Sequence, residues 1–305
     1  TYTENQLFSP EISTTTGYSK LYVNAGKVTN KGIELALGFK QNIGPVDWKT
    51  TLLWSLNRNR IDQLLPEYTN EELGVTVHLD EMDVYSLGGA KQRLTVGGSM
   101  GDVYVNTMRT DEHGYIWMNS MTGALETDKN NYVYAGNTNP KYTLSWRNEF
   151  NWKGISLGFM LNARVGGIGV SATQAVMDYY GVSKTSAEAR DNGGVKVNGQ
   201  IIDAQTWYQT IGANGTGYVG SMYVYSMTNV RLGELTLGYD IPINKWGKWI
   251  SGLNVSFVGR NLWMLYCKAP FDPESTASTG TYNQGMDYFM QPSLRSMGFS
   301  AKISF

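Results

Sequence analysis

Residues 293–305 alternate between two registers. Met297, Phe299, Ala301, Ile303 and Phe305 share one, and Ser296, Gly298, Ser300, Lys302 and Ser304 share the other. A period of two predicts a β-strand with one oily and one polar face. The pattern recurs along the chain. In 32–40, Ile33, Leu35, Leu37 and Phe39 oppose Glu34, Ala36, Gly38 and Lys40. In 46–57, Val46, Trp48, Thr50, Leu52, Trp54 and Leu56 oppose Asp47, Lys49, Thr51, Ser55 and Asn57. Segments 141–152, 155–165, 230–241 and 253–264 repeat it, and residues 1–7 read as the end of an eighth strand.

Charge placement decides what the oily faces meet. Glu34, Lys40, Asp47, Lys49, Lys141, Arg147, Glu149, Arg164, Glu234, Arg260 and Lys302 all fall on polar registers. A basic residue facing lipid at mid-membrane costs about 2–4 kcal/mol, and near the interfaces almost nothing. Exceptions should therefore sit near strand ends. Arg231, upstream of Tyr239, and Arg295, upstream of Phe305, come out roughly 20–25 Å along the wall, at the upper rim of an oily band. The connections also alternate in length. Residues 42–45 and 151–154 are tight turns and 242–252 is moderate, whereas 58–140, 166–229 and 265–292 are long. Short turns on one side and long loops on the other are the layout of outer-membrane barrels. Phe39, Trp48, Phe150, Trp152, Tyr239, Trp246, Trp249 and Phe305 gather at the short-turn side, as an interfacial girdle would. The expected fold is all-β, a transmembrane antiparallel β-barrel with long extracellular loops, located in the outer membrane as a multi-pass protein.

Composition agrees and excludes alternatives. The 305 residues include 35 Gly, 20 Tyr and 9 Trp, with only 17% charged. No apolar run is long enough for a transmembrane helix, and a negative mean hydropathy is compatible with strands that alternate. A net charge of −1 offers no case for nucleic acid. Cys267 is the lone cysteine, and His78 and His113 are far apart, so no cluster has zinc or haem spacing. The chain opens on Thr1 without Met or signal peptide, which for an exported protein implies a mature piece or a fragment.

A set of stretches carries a further signal: NAGKVTNKGIE at 24–34, EARDNGGV at 188–195, NVRLGELTLGYDIP at 229–242 and GRNLW at 259–263. FDPE at 271–274, GMD at 285–287 and QPSLR at 291–295 complete the set, and their order spans Asn24 to Phe305. Together these stretches resemble the SusC/RagA-like TonB-dependent outer-membrane transporters. The final aromatic residue likewise resembles the assembly signal of outer-membrane barrels, so Phe305 is assigned that role. The resemblance implies the C-terminal part of a β-barrel of about 22 strands, with the plug domain and earlier strands absent from residues 1–305. It further implies TonB-dependent import of an oligomeric nutrient, oligosaccharide first and peptide otherwise. The implied partners are a SusD-like surface lipoprotein over the outer mouth and TonB, reached through the missing N-terminal part. A passive porin or adhesin-type barrel, and a barrel-embedded hydrolase, are the alternatives. Eight strands closed alone would leave no room for a nutrient.

No catalytic constellation emerges, and the chain is read as no enzyme. Residues 97–101 match G-x-S-x-G, but no helix pattern follows the serine, so a loop turn is expected. Residues 215–220 match G-x-G-x-x-G without a surrounding βαβ unit. Asp80, Glu81 and Asp83 lack the spacing of a calcium loop, leaving loop calcium weakly supported and no other cofactor expected. Short helices are expected in the outer loops: Ala172, Ala175, Val176 and Tyr179 share a face, Thr185–Glu188 reads as a capping box, and Asp203 as a cap for 204–209. Trp207 and Tyr208 then stand as exposed aromatics able to stack on sugar rings or hold a partner. Arg164, Glu234 and Arg260 face the lumen, and Tyr282, Asp287 and Tyr288 lie in the last loop. These eight residues are the candidate contacts for substrate or partner.

Overall fold

The structure is a computed structural model that describes residues 1–8, 22–71, 74–119, 121–215, 217–242, 250–275 and 282–304. Eight strands form one antiparallel sheet, the wall: β1 (Tyr2–Phe8), β2 (Val23–Ile43), β3 (Val46–Gln63), β4 (Tyr142–Trp152), β5 (Ile155–Val165), β6 (Asn229–Ile241), β7 (Gly252–Cys267) and β8 (Ser296–Ser304). Each pairs with the next, so the wall is an up-and-down meander. β1 and β8 are its two edges, and among the described residues the sheet does not close on itself. No helix among the described residues is long and apolar enough to cross a membrane.

The hairpin turns follow from their residues. Lys153 and Gly154 both take positive φ, 47° and 84°, and Trp152 pairs with Ile155 around them. A two-residue turn of that type matches the right-handed twist of the flanking strands. The predicted registers hold in space. Ile33, Leu37, Phe299 and Met297 stand exposed on the oily face, with Phe299 at 85%. At the short-turn end Phe39 meets Trp48 edge-on and Trp48 stacks on Phe150, at ring separations of 5.8 and 6.2 Å. Trp152 and Tyr239 are exposed beside them; Trp246, Trp249 and Phe305 lie outside the described residues.

Two polar groups on the oily register, Thr50 and Asn148, are covered rather than bare. Trp146 Nε1 donates to Thr50 Oγ1 at 2.9 Å and Trp48 Nε1 to Asn148 Oδ1 at 3.1 Å. On the other face the charges pair with one another: Lys49 reaches Glu149 across strands at 3.7 Å, and Arg147, two residues from Glu149 along β4, reaches it at 2.7 Å.

The long connections are not loops in the ordinary sense. β3 runs on to Gln63, past the predicted end of its strand, and the rest of 58–140 folds into a hairpin, Leu65–Asn70 with Val75–Leu79, and a four-stranded sheet. That sheet orders Glu81–Leu87, Ala90–Thr95, Asp102–Met108 and Thr127–Asn137 consecutively. Segment 166–229 carries α1 (Ala172–Tyr179), α2 (Lys184–Asp191) and α3 (Ala204–Gly212). Its strand Ile168–Ser171 lies antiparallel to Val224–Ser226 and parallel to Met286–Asp287 of the last connection. All three connections contribute to one core: Val103, Val105 and Met108 from the first, Val170, Trp207, Tyr218 and Val219 from the second, Met286 from the third. We call this unit the cap.

Candidate functional site

The cap is clamped to the wall where the inner face of β2 and β3 changes character. Val28 and Ile61 are buried there under Leu94, Tyr282 and the hairpin residues Val77 and Leu79. The 97–101 turn docks on β3 by backbone bonds: Ile61 donates to Gly98 O and Gly97 to Ile61 O, both at 2.8 Å. Met100 N–H and Ser99 Oγ both donate to Asn59 Oδ1, at 2.8 and 3.4 Å. The G-x-S-x-G match is therefore this clamp, with a strand rather than a helix after it. Gly101 lets the stretch after Tyr134 pack close, since a Cβ there would lie 2.6 Å from Asn139 Nδ2 and 2.7 Å from Thr138 Oγ1 and would push those side chains aside. In the G-x-G-x-x-G match, Tyr218 is buried with its hydroxyl donating to Leu87 O at 2.7 Å, and Gly220 N donates to Asn106 Oδ1 at 2.7 Å. That stretch joins two parts of the cap. Burial holds the Tyr218 phenol well above its ordinary range.

Between clamp and wall lies an open cavity of about 1050 Å³. Its wall side is the inner register of β2, β3 and β4, with Asn30, Ser55, Asn57, Asn59 and Thr143. Its cap side is the 97–102 turn and the stretch from Tyr134 to Pro140. The amides are organised before any ligand arrives: Asn59 Nδ2 donates to Asn30 Oδ1 at 3.0 Å, and Ser55 and Thr143 share a hydroxyl contact of 2.8 Å. Asp102, only 7% exposed, has its carboxylate held by neutral donors, Ser99 N–H at 2.8 Å, Asn137 Nδ2 at 2.7 Å and the Tyr134 hydroxyl at 3.4 Å. Burial and the Asp102 charge push the Tyr134 phenol above its usual value, so it stays protonated and able to donate.

The residues singled out from the sequence are scattered around this geometry. Arg164 stands beside Thr143 in the β4–β5 register and donates through Nη2 to Thr138 O at 2.7 Å, while its Nε is buried without a partner. Glu234 and Arg260 are cross-strand neighbours joined at 3.8 Å. Trp207 is not the exposed aromatic its loop position implied: it is 8% exposed, because α3 turns that side chain into the cap core. Tyr208 is half-buried against the same core. Asp287 is buried as well, accepting from Ser171 Oγ at 2.5 Å. Tyr282 covers Val28 and Ile61, and burial raises its phenol. Tyr288 is exposed and stands edge-on to Phe289 at 5.1 Å. Phe305 lies outside the described residues.

Other expectations are adjusted too. Ser183, not Thr185, caps α2, its side chain accepting from Ser186 N, so the Thr185–Glu188 capping box is replaced by a cap two residues earlier. Asp203 caps α3 through Thr206 N as read. Asp83 is held by Lys91 at 3.0 Å and Arg93 at 2.6 Å, and Glu81 by Arg93 at 3.4 Å. No group of three or more acid, histidine or cysteine side chains among the described residues is placed to hold a metal ion.

Arg231 corrects the lipid-rim assignment. Bulges beside it rotate the strand, and it is 4% exposed, bonded to Asp272 at 2.8 Å and near Glu274 at 3.4 Å. Asp272 also accepts from the backbone N–H groups of Ser293 and Glu274. Burial alone would raise its carboxyl; the bonds from Ser293, Glu274 and Arg231 outweigh burial and hold it at about 2. This latch ties both ends of the last connection to β6. The resemblance to known barrels flagged FDPE and QPSLR, but which partner each would find was not written in either motif.

No family model matches the chain. Two curated relatives do, both from Formosa agariphila: TonB-dependent receptor P3, 22% identical over 99% of this chain, and TonB-dependent receptor P26, 24% identical over 99%. The chain spans 31% and 32% of their respective lengths, about a third. Among solved structures, the RagAB peptide transporter superposes with a TM-score of 0.67 at 16% identity, covering 98% of this chain and 32% of that one. The closed-closed state of the RagAB peptide importer gives 0.64, again at 16% identity and with the same coverage. The wall and cap together are thus similar to one part of a larger barrel.

Proposed function

We propose, for a chain that is part of a SusC/RagA-like TonB-dependent transporter, that the whole protein imports an oligomeric nutrient across the outer membrane, drawing its energy through TonB. In this reading residues 1–305 supply the last strands of the barrel, Phe305 is the assembly signal, and the plug comes from the rest of the protein. The cargo is oligosaccharide first and peptide otherwise, and a SusD-like lipoprotein closes the outer mouth. The observation that carries the reading is the two-faced wall. Its oily side is exposed while its polar side, at the upper ends of β2–β4, faces a cavity roofed by the cap, which fits a barrel with lipid outside and a cargo path inside. The similar proteins, TonB-dependent receptors and a peptide transporter by name, support energy-coupled uptake over a passive pore.

Uptake by cells expressing the full-length protein tests this directly. Accumulation of a labelled oligosaccharide or peptide should stop when TonB is deleted or the proton-motive force is collapsed. Uptake that persists in both conditions would establish the passive-porin reading. Partnering is tested at Ile201, 70% exposed on the hairpin Val195–Val197 with Gln200–Ile202, whose Val197 is part of the cap core. Ile201→Glu should weaken copurification of a lipoprotein lid and leave Val197, Trp207 and Tyr218 in their core. Excising all of 181–220 would confound that test by removing core side chains.

A further inference from the structure

We propose that the outer face of β2 and β3, just above the oily band, holds the phosphate of an outer-leaflet lipid headgroup between Lys31 and Arg58. The inference goes beyond uptake and needs only that the oily face of the wall meets a bilayer. Lys31 and Arg58 are register partners, and each continues the oily register of its strand. Up the wall, Phe39, Leu37, Leu35 and Ile33 of β2 lead to Lys31, and Trp54 and Leu56 of β3 lead to Arg58, with no register shift between. Asn57 and Asn59, on either side of Arg58, turn the other way and donate to Asn30. The two cations therefore lie on the outward face.

Their level follows from the same count. Lys31 is eight residues above Phe39 and Arg58 ten above Trp48, which with the rise and tilt of barrel strands is roughly 20–25 Å above the short-turn girdle. That is about the full height of an oily band, so both side chains reach the headgroup layer. A second aromatic pair marks the level independently. Trp54 and Tyr142, on the outward registers of β3 and β4, stand 6.3 Å apart near its top, as Trp and Tyr do at membrane interfaces.

Charge supplies the ligand class. Like charges directly opposite on a sheet face repel, with Cβ atoms only about 4.5–5.5 Å apart. Another such pair in this ladder, Lys40 with Lys49, is on the inner register, and there Lys49 reaches Glu149. Near the outward pair, Lys27 is taken by Glu4 at 2.8 Å and Arg60 by Asp62 at 3.7 Å. Among the described residues neither Lys31 nor Arg58 has an acidic or hydrogen-bonding partner, and both are exposed. A phosphate between them relieves the repulsion, the guanidinium fork taking two oxygens and the ammonium a third. The acyl chains of the same lipid lie along Ile33 and Leu35 below, both exposed, a contact that free phosphate does not make.

The test titrates the full-length protein, delipidated in neutral detergent, with phosphatidic acid and separately with phosphatidylcholine, counting bound lipids by native mass spectrometry. One phosphatidic acid should bind the wild type more tightly than any phosphatidylcholine. Lys31→Gln combined with Arg58→Gln should weaken that lipid by about tenfold or more, the loss expected when charge-assisted bonds go. Phosphatidylcholine binding should not change, and Lys40→Gln, which removes a cation from the inner register, should alter neither lipid. Each single substitution should give part of the loss, so the assignment can be judged even if the double variant does not fold; unchanged heat-modifiable migration shows which variants do. Millimolar inorganic phosphate should not displace the lipid. Phosphatidic acid binding that ignores K31Q and R58Q, equal affinity for phosphatidylcholine, or displacement by inorganic phosphate would overturn the assignment. TonB-dependent uptake is measured apart from these titrations, so import stands or falls on its own.

Discussion

The wall and the cap are built from the same side chains and use them in opposite ways. In the wall, Ile33, Leu37 and Phe299 are 60%, 54% and 85% exposed. In the cap, Val170, Tyr218 and Val219 are fully covered. The difference teaches where each region finds its apolar environment. The cap folds in water and must bury its own oil, so three connections far apart in sequence converge on one core. The wall needs no protein core, because the lipid of a bilayer is its apolar phase and its backbone is satisfied strand to strand. Charges follow the same division. Along the oily band of the wall they sit on the inner register and pair across strands, as Lys49 does with Glu149. At the junction of the two regions they are desolvated and need more partners, as Arg231 and Asp272 show.

The comparison can be broken most severely from the cap side. Tyr218→Ala removes a covered aromatic and its bond to Leu87 O, and should cost the cap about 3–5 kcal/mol. Limited proteolysis should then cut within 64–140 and 166–229 while the wall stays inserted and heat-modifiable. Loss of insertion along with the cap would show that the two regions fold as one.

A slightly smaller effect tests the wall. Leu37→Arg, on the exposed oily register, should lower membrane-folded stability by about 2–4 kcal/mol, whereas Ala36→Arg on the inner register should cost much less. Equal costs, measured by denaturant unfolding in liposomes, would refute the assignment of faces.

Acid sharpens the junction. Asp272 has a carboxyl depressed to about 2, so its contribution is complete above the ordinary carboxylate pKa of about 4 and is lost as pH falls through about 2. Arg231 stays charged throughout that window. Hydrogen exchange in the described residues of 268–295 should therefore rise between pH 4 and pH 2, and Asp272→Asn should flatten the rise. A profile unchanged by that substitution would remove the latch from the account.

The smallest effect is expected at the inner surface of the wall. Lys49→Met breaks a solvated pair at 3.7 Å and should change stability by less than about 1 kcal/mol, with no change in insertion. A larger loss would mean that this pair is shielded from water as the junction is.

The wall was legible because its determinants are local. A strand between lipid and water must alternate, so Ile33 to Phe39 and Met297 to Ile303 announce both their conformation and their sides. Turn residues such as Lys153-Gly154 fix where each hairpin ends. The cap was legible only in fragments, its helices and the Asp203 cap among them. Strand Ala90–Thr95 shows why. Its alternation places Gln92 inward, and that amide is tolerable only because it donates to Met100 O and accepts from Asn283 N–H, one neighbour near in sequence and one distant. Trp207 reads as an exposed aromatic until α3 packs on α1 within the core that the three connections share. The candidate site belongs to the same class, since Asn30, Asn59 and Asn137 carry no common motif and meet only when the 97–101 turn docks on β3. The sequence by itself determined which strands form and which way each faces, because those choices are made residue by residue against solvent. Tertiary structure decided what is buried in the cap, what Arg231 pairs with and where a cavity opens, because each depends on surfaces contributed by segments that are neighbours only after folding.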